Sequence, residues 1–171
     1  ASVKAAPADT VWSFSPAETD ALPGQMQPGG TTSGEYLGIL IDASAQGSKF
    51  SPRETDTQIN AGTVFTIPVA ANENGAVLTL RLSGGSSVVE AAGVEYASAN
   101  GAVTIPVEAA ESESSCVLTF TAQTYLAGVT LTYHQPEEEY PGVPEEVSAA
   151  DVTYGFTALD GLTDESGLTP A

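Results

Sequence analysis

The chain is 171 residues long and carries 22 Asp and Glu against 4 Lys and Arg, a formal charge of −18, with one His and one Cys. A surface this acidic is repelled by phosphate backbones and anionic lipid, which excludes nucleic-acid and peripheral-membrane roles. A single Cys and a single His build neither an internal disulfide nor a Cys- or His-based metal centre.

Residues 1–9 lack the apolar stretch of a signal peptide and read as a disordered N-terminal segment, either what remains after a signal is removed or an arbitrary boundary. Beyond them, short β-branched and apolar runs are broken by Gly, Pro, Asn and Ser, and no stretch sustains a helical period. They predict strands over 10–14, 36–42, 63–69, 76–82, 101–107, 115–121, 127–133 and 152–157. Asn72-Glu73-Asn74-Gly75, Gly84-Gly85 and Asn100-Gly101 supply turn chemistry between them. The expected fold is all-β, an antiparallel β-sandwich of jelly-roll or Ig-like type. No apolar run reaches the roughly 20 residues of a membrane helix, and a Ser-, Thr-, Gly- and Ala-rich chain that relies on acids for solubility has the texture of an exported bacterial protein.

Two internal similarities organise the chain. Thr66-Ile67-Pro68-Val69-Ala70-Ala71, followed after a polar loop by Val77-Leu78-Thr79-Leu80, returns as Thr104-Ile105-Pro106-Val107-Glu108-Ala109-Ala110 and Val117-Leu118-Thr119-Phe120. The expectation is two hairpins in equivalent sandwich positions, with Pro68 and Pro106 at strand ends or sheet edges. The aromatic strand Val11-Trp12-Ser13-Phe14 also resembles Val152-Thr153-Tyr154-Gly155-Phe156. Between these lies 135–150, rich in Pro and Glu, which reads as an extended linker. Residues 10–134 are then one β-sandwich module. Residues 151–171 open a following module, complete this sandwich, or donate a strand to a neighbour. The charge divides evenly: residues 1–136 have thirteen acids and four bases, and residues 137–171 have nine acids and no base, so each part carries −9.

Catalytic constellations are absent from the pattern. His134 stands beside the linker with no nucleophile elbow in the chain, and reads as structural or solvent-exposed. Cys116 lies in an apolar run, as a small buried hydrophobe would. Glu111 and Glu113 sit in a polar loop where nothing raises a carboxyl pKa, so they are surface groups, and Glu137-Glu138-Glu139 is a solvated run. The expectation is a protein without enzymatic activity.

Residues 41–63 stand apart, because this long polar connection holds Lys49 and Arg53, two of the four basic residues. They either pair with Asp42, Glu54 or Asp56 to tie down the loop, or form a recognition surface in which Arg, Lys, Asp, Gln and Asn meet hydroxyls or a sugar carboxylate. Here the strand Tyr36-Leu37-Gly38-Ile39-Leu40-Ile41-Asp42-Ala43, then Lys49-Phe50-Ser51-Pro52-Arg53, then Asp56-Thr57-Gln58-Ile59-Asn60-Ala61-Gly62-Thr63 resemble the non-catalytic β-sandwich modules of large secreted pectin-degrading enzymes of gut Firmicutes. The likeness extends to the opening Val11-Trp12-Ser13-Phe14 and the closing Tyr125-Leu126-Ala127-Gly128-Val129-Thr130-Leu131, and covers about residues 10–133.

The resemblance implies a carbohydrate-binding module in a larger multimodular chain, secreted or at the cell surface, with a polysaccharide or oligosaccharide of the plant cell wall as partner. Lys49, Arg53, Asp56, Gln58, Asn60 and Tyr36 are the expected binding residues, with Trp12, Tyr36 and Tyr96 as stacking candidates. No cofactor is expected beyond a structural or bridging Ca²⁺; a polyanionic ligand is steered away from a module of −9 unless a local basic patch or such a Ca²⁺ intervenes. The competing reading is an Ig-like structural or adhesive spacer of a cell-surface protein, in one variant closed by a Lys49–Asn60 isopeptide bond.

Overall fold

In a computed structural model the described residues are 5–136, and these form twelve strands and no helix. The elements are β1 (Thr10–Ser13), β2 (Ser33–Tyr36), β3 (Ile39–Asp42), β4 (Phe50–Pro52), β5 (Thr57–Ile59), β6 (Val64–Val69), β7 (Ala76–Gly84), β8 (Val88–Ala91), β9 (Val94–Ala97), β10 (Ala102–Val107), β11 (Ser114–Phe120) and β12 (Thr124–Tyr133). All pair antiparallel in two six-stranded sheets, giving the all-β sandwich expected from the sequence. The expected linker and the strand at 152–157 lie outside the described residues.

Sheet A runs β10-β7-β12-β5-β4, with β1 also pairing β12, and sheet B runs β2-β3-β6-β11-β8-β9. The long β12 organises sheet A. One side pairs with β7 along its length; the other pairs with β5 at Thr124, Tyr125 and Leu126 and with β1 from Gly128 to Leu131. Register shifts between Tyr125 and Gly128 mark this handover, where a bulge re-aims the strand. Gly128 lets the chains approach closely there: a Cβ would stand 2.7 Å from Arg81 Nη2, displacing that side chain, and 3.3 Å from the Trp12 carbonyl oxygen.

Period-two alternation drives the packing. On β7, Leu78, Leu80 and Leu82 are buried while Val77, Thr79, Arg81 and Ser83 face out. The core is aromatic at its centre. Phe14 meets Tyr36 edge-on at 5.2 Å and stacks on Phe65 at 5.6 Å, and Phe65 meets Phe120 edge-on at 5.0 Å. Offset and T-shaped pairs of this kind add about 0.5–1.5 kcal/mol each beyond their buried area. Trp12 and Tyr36 lock β1 to the β2–β3 turn reciprocally: the indole N–H donates to the Leu37 carbonyl at 2.9 Å, and the Tyr36 hydroxyl donates to the Ser13 carbonyl at 2.6 Å. Burial pushes the Tyr36 phenol above its ordinary value, against a smaller opposing contribution from Thr19, and burial likewise raises the half-buried Cys116 thiol.

Three sequence expectations change. The run 36–42 is a hairpin rather than one strand, because Leu37 and Gly38 both take positive φ, 48° and 92°, the two-residue geometry that matches strand twist. Ala92 and Gly93 make a second such turn and so create the β8–β9 hairpin. The polar connection 43–62 contains β4 and β5, a short hairpin of sheet A.

The repeated Thr-Ile-Pro-Val segments are also not hairpins. The chain passes from β6 in sheet B to β7 in sheet A, and from β10 in sheet A back to β11 in sheet B. Their strands pair across the repeat, β6 with β11 and β7 with β10. The two crossings meet where the Asn72 N–H donates to the Ala110 carbonyl at 2.8 Å and the Ala110 N–H donates to the Asn72 carbonyl at 3.1 Å. Asn72 stands to Thr66 as Ala110 stands to Thr104, so equivalent positions touch reciprocally, the sign of a local two-fold relation. Pro106 lies on the edge strand β10, and Pro68 lies past the last β3 partner, Thr66, so neither missing N–H leaves a ladder bond unmade.

Candidate functional site

The β4–β5 hairpin brings most of the residues singled out in 41–63 to one end of the outward face of sheet A. Thr57 and Ile59 point inward and are fully buried, which turns Gln58 outward. Register then sets Ser51, Gln58 and Tyr125 abreast on β4, β5 and β12. Gln58 Nε2 donates to Asn60 Oδ1 at 3.0 Å, and Gln123 Nε2 reaches the same oxygen at 3.4 Å. The Tyr125 hydroxyl reaches Gln123 Oε1 at 3.4 Å. This is a strip of amides and hydroxyl beside a half-buried aromatic ring.

Arg53, in the turn, frames the strip. Its Nε lies 2.7 Å from Asp56 Oδ1 and its Nη2 donates to Asp56 Oδ2 at 3.2 Å. The Nε contact is a charge contact without hydrogen-bond alignment, so that buried oxygen has no aligned donor. The other oxygen also accepts from the Ser83 hydroxyl. The Asp56 side chain is only 3% exposed whereas that of Arg53 is 47% exposed. The guanidinium therefore fastens to a buried carboxylate on one side and lies 4.4 Å above the centre of the Tyr125 ring on the other, within the range of a cation–π contact.

The expected binding set is thus partly assembled. Arg53, Asp56, Gln58 and Asn60 gather, with Arg53 and Asp56 paired to each other as the loop-organising alternative required. Lys49 precedes β4 and is held through its backbone, its N–H bonded to Thr63 Oγ1 and its carbonyl accepting from the Asn60 N–H. No carboxylate lies within ion-pair distance of it among the described residues. Asn60 is its neighbour, but the Asn60 side chain is engaged with Gln58 and Gln123. Tyr36 and Trp12 are each 2% exposed and belong to the core, so neither offers a stacking surface. Tyr96 is half-buried on β9 of the other sheet, away from the hairpin.

Tyr125, Gln123, Ser83 and Arg81 were not anticipated as site residues. Alternation against the buried Leu126 was the available signal for Tyr125 facing outward. Arg81 is exposed beside Gly128, and no carboxylate lies within ion-pair distance of it among the described residues.

The outward face of sheet B differs. Asp42, Val64, Thr119, Glu90 and Glu95 stand in one cross-strand row, and Glu35, Leu40, Thr66 and Val117 in the next. The row holding Asp42, Glu90 and Glu95 contains no base. Bonds from the Ser44 hydroxyl and then its N–H hold the Asp42 carboxyl below its ordinary value. A cleft of about 660 Å³ lies at the end of the sandwich where the two crossings meet, walled by Ala5, Ala6, Ala71 and Ala109 with Glu73 and Glu111. Asn72 and Ala110 of the crossing also line it, but among the described residues its lining has no aromatic group or cation and none of the hairpin-strip residues. Among the described residues no three His, Cys, Asp or Glu side chains gather to hold a metal ion.

No protein-family model matches the sequence, and no curated protein matches it. A solved structure from work on glycan recognition in the Ruminococcus flavefaciens cellulosome is similar at 15% identity and a TM-score of 0.38, over 75% of this chain and 96% of that one. A likeness so loose carries no argument about activity or ligand.

Proposed function

We propose that the chain carries a non-catalytic carbohydrate-binding module of a secreted or cell-surface multimodular protein, and that a plant cell-wall polysaccharide lies along the outward face of sheet A. The observation that carries this reading is the in-register strip Ser51, Gln58 and Tyr125, continued by Asn60 and Gln123 and framed by the anchored guanidinium of Arg53. Amides donate and accept at once, as sugar hydroxyls require, while the planar groups offer a flat surface to a pyranose ring. Holding Arg53 in advance against Asp56, which Ser83 also fixes, lowers the ordering cost of binding.

On this face Arg53 is already committed to Asp56, so the cations left for a uronate carboxylate are Arg81 and Lys49, neither of which has a carboxylate within ion-pair distance among the described residues.

Affinity electrophoresis through pectin, xylan, mixed-linkage β-glucan and starch, with and without Ca²⁺, tests the proposal. Retardation by at least one polymer is expected. Tyr125→Ala should weaken it about tenfold, the upper end of an aromatic contact, with melting kept as a control for folding. A preference for pectin that Arg81→Ala removes would identify an acidic ligand. Absence of retardation by every polymer, or retardation indifferent to Tyr125→Ala and Gln58→Ala, overturns the assignment.

A further inference from the structure

The chain contains two exposed Asn residues followed by Gly, Asn74-Gly75 and Asn100-Gly101, in turns of different construction. We propose that Asn100 is a site of spontaneous deamidation in the folded protein and that Asn74 is protected by its fold.

The reaction needs the amide nitrogen of the following residue. Hydroxide removes the Gly N–H proton, the nitrogen attacks the Asn side-chain carbonyl carbon, a C–N bond forms, and the C–NH₂ bond breaks. Ammonia leaves with a proton taken from water. Water then opens the cyclic imide at either carbonyl, leaving aspartate or isoaspartate, with no oxidant or reductant involved. Glycine favours the attack because no side chain hinders its nitrogen.

The two sites differ in what holds that nitrogen. The Gly75 N–H donates to Asn72 Oδ1 at 2.7 Å, and Gly75 is buried. Asn72 is itself fixed, since its Nδ2 donates to the Ala70 carbonyl at 2.8 Å and its backbone pairs with Ala110 at the crossing. Attack by Gly75 therefore requires that bond to open inside a packed arch. At the other site, Asn100 and Gly101 are the two central residues of the β9–β10 turn, with φ of 54° and 78°, and both are exposed. The pair Ala99 and Ala102 closes the turn with bonds in both directions, and Gly101 contributes its carbonyl to the Leu82 N–H. Its own N–H has no protein partner among the described residues, and water and hydroxide reach it.

The product also has a defined place. The turn joins the edge of sheet B to the edge of sheet A, and Ala102 is the cross-strand partner of Arg81. Deamidation adds a negative charge next to the strand pair that carries Arg81, and isoaspartate lengthens the backbone of a two-residue turn.

The test is prolonged incubation of the intact chain at mildly alkaline pH, then cleavage after glutamate. That cleavage places Asn74 and Asn100 on separate peptides, because Glu73, Glu90, Glu95 and Glu108 bracket them. Mass spectrometry reads the NH₂-to-OH exchange, and chromatography separates aspartate from isoaspartate. Asn100 should convert about tenfold faster than Asn74, the factor imposed by one hydrogen bond of ordinary net strength. In denaturant the two should react at comparable rates. Asn72→Ala should speed Asn74 in the native protein, and Asn72→Asp, which keeps an acceptor for Gly75, should not. Equal conversion in the folded chain, faster conversion at Asn74, or an Asn100 that reacts only in denaturant would overturn the proposal. The denaturant comparison keeps the test decisive if Asn72→Ala does not fold.

Discussion

The two outward faces of this sandwich are built from the same alternating strands but finished differently. At the hairpin end of sheet A, polar groups satisfy one another: Asp56 takes Arg53 and Ser83, Asn60 takes Gln58 and Gln123, and Arg53 covers Tyr125. On sheet B, Glu90 and Glu95 are direct cross-strand partners of like charge, and the turn that starts the sheet forces Leu37, 61% exposed, into a left-handed conformation. A fold tolerates repulsion and strain of this size on one surface while the core holds. The side-chain ties on the other surface order groups that solvent would otherwise leave free, which is what a surface prepared for a partner requires.

Substitutions can press on this contrast. Arg53→Ala should have the largest effect, a loss of about 1–3 kcal/mol, because it strips the cation from a buried carboxylate that keeps only the Ser83 hydroxyl as donor. Arg53→Lys should not restore the loss, since a compact ammonium cannot contact both Asp56 oxygens and lie flat on Tyr125 together. Urea denaturation midpoints measure both, and an Arg53→Ala protein as stable as the parent would show the face to be merely decorated. On sheet B the signs reverse. Leu37→Asn should stabilise by about 1 kcal/mol, because Asn tolerates the left-handed region that leucine resists, while the backbone carbonyl that accepts the Trp12 indole remains. The smallest effect, a gain of about 0.2–1 kcal/mol in the same assay, is expected for Glu95→Gln, which removes a like charge directly opposite Glu90.

Much of the fold could be read from the chain where alternation runs long enough, as in Leu78, Leu80 and Leu82. It was hidden where turns lack their usual markers. Two-residue turns with positive φ at both positions announce themselves by Asn-Gly or Asp-Gly. Asn100-Gly101 does so, but Leu37-Gly38 and Ala92-Gly93 do not. Missing the first had a consequence at the site. A continuous strand over 36–42 puts Tyr36 on the same side as the exposed Leu40 and Asp42, whereas the turn shifts the phase by one residue and buries it. The Arg53, Asp56, Gln58 and Asn60 group was visible because its members are near neighbours in sequence. Tyr125, Ser83 and Arg81 arrive from β12 and β7, whose register against the hairpin no local pattern encodes.

The pairing of β1 with β12 bears on the spacer alternative in mechanical terms. Thr10 lies opposite Leu131, and the Asp9 carboxylate accepts from the Tyr133 N–H at 3.2 Å. The polypeptide therefore enters and leaves the sandwich side by side at one end. Tension applied between those two points would peel β1 from β12 one residue pair at a time, beginning at Asp9 and Tyr133, instead of loading the whole ladder in shear. A link meant to bear force in series is poorly served by such an attachment. Arg53, Gln58 and Tyr125 lie at the opposite end of sheet A, away from the end where β1 begins and β12 finishes.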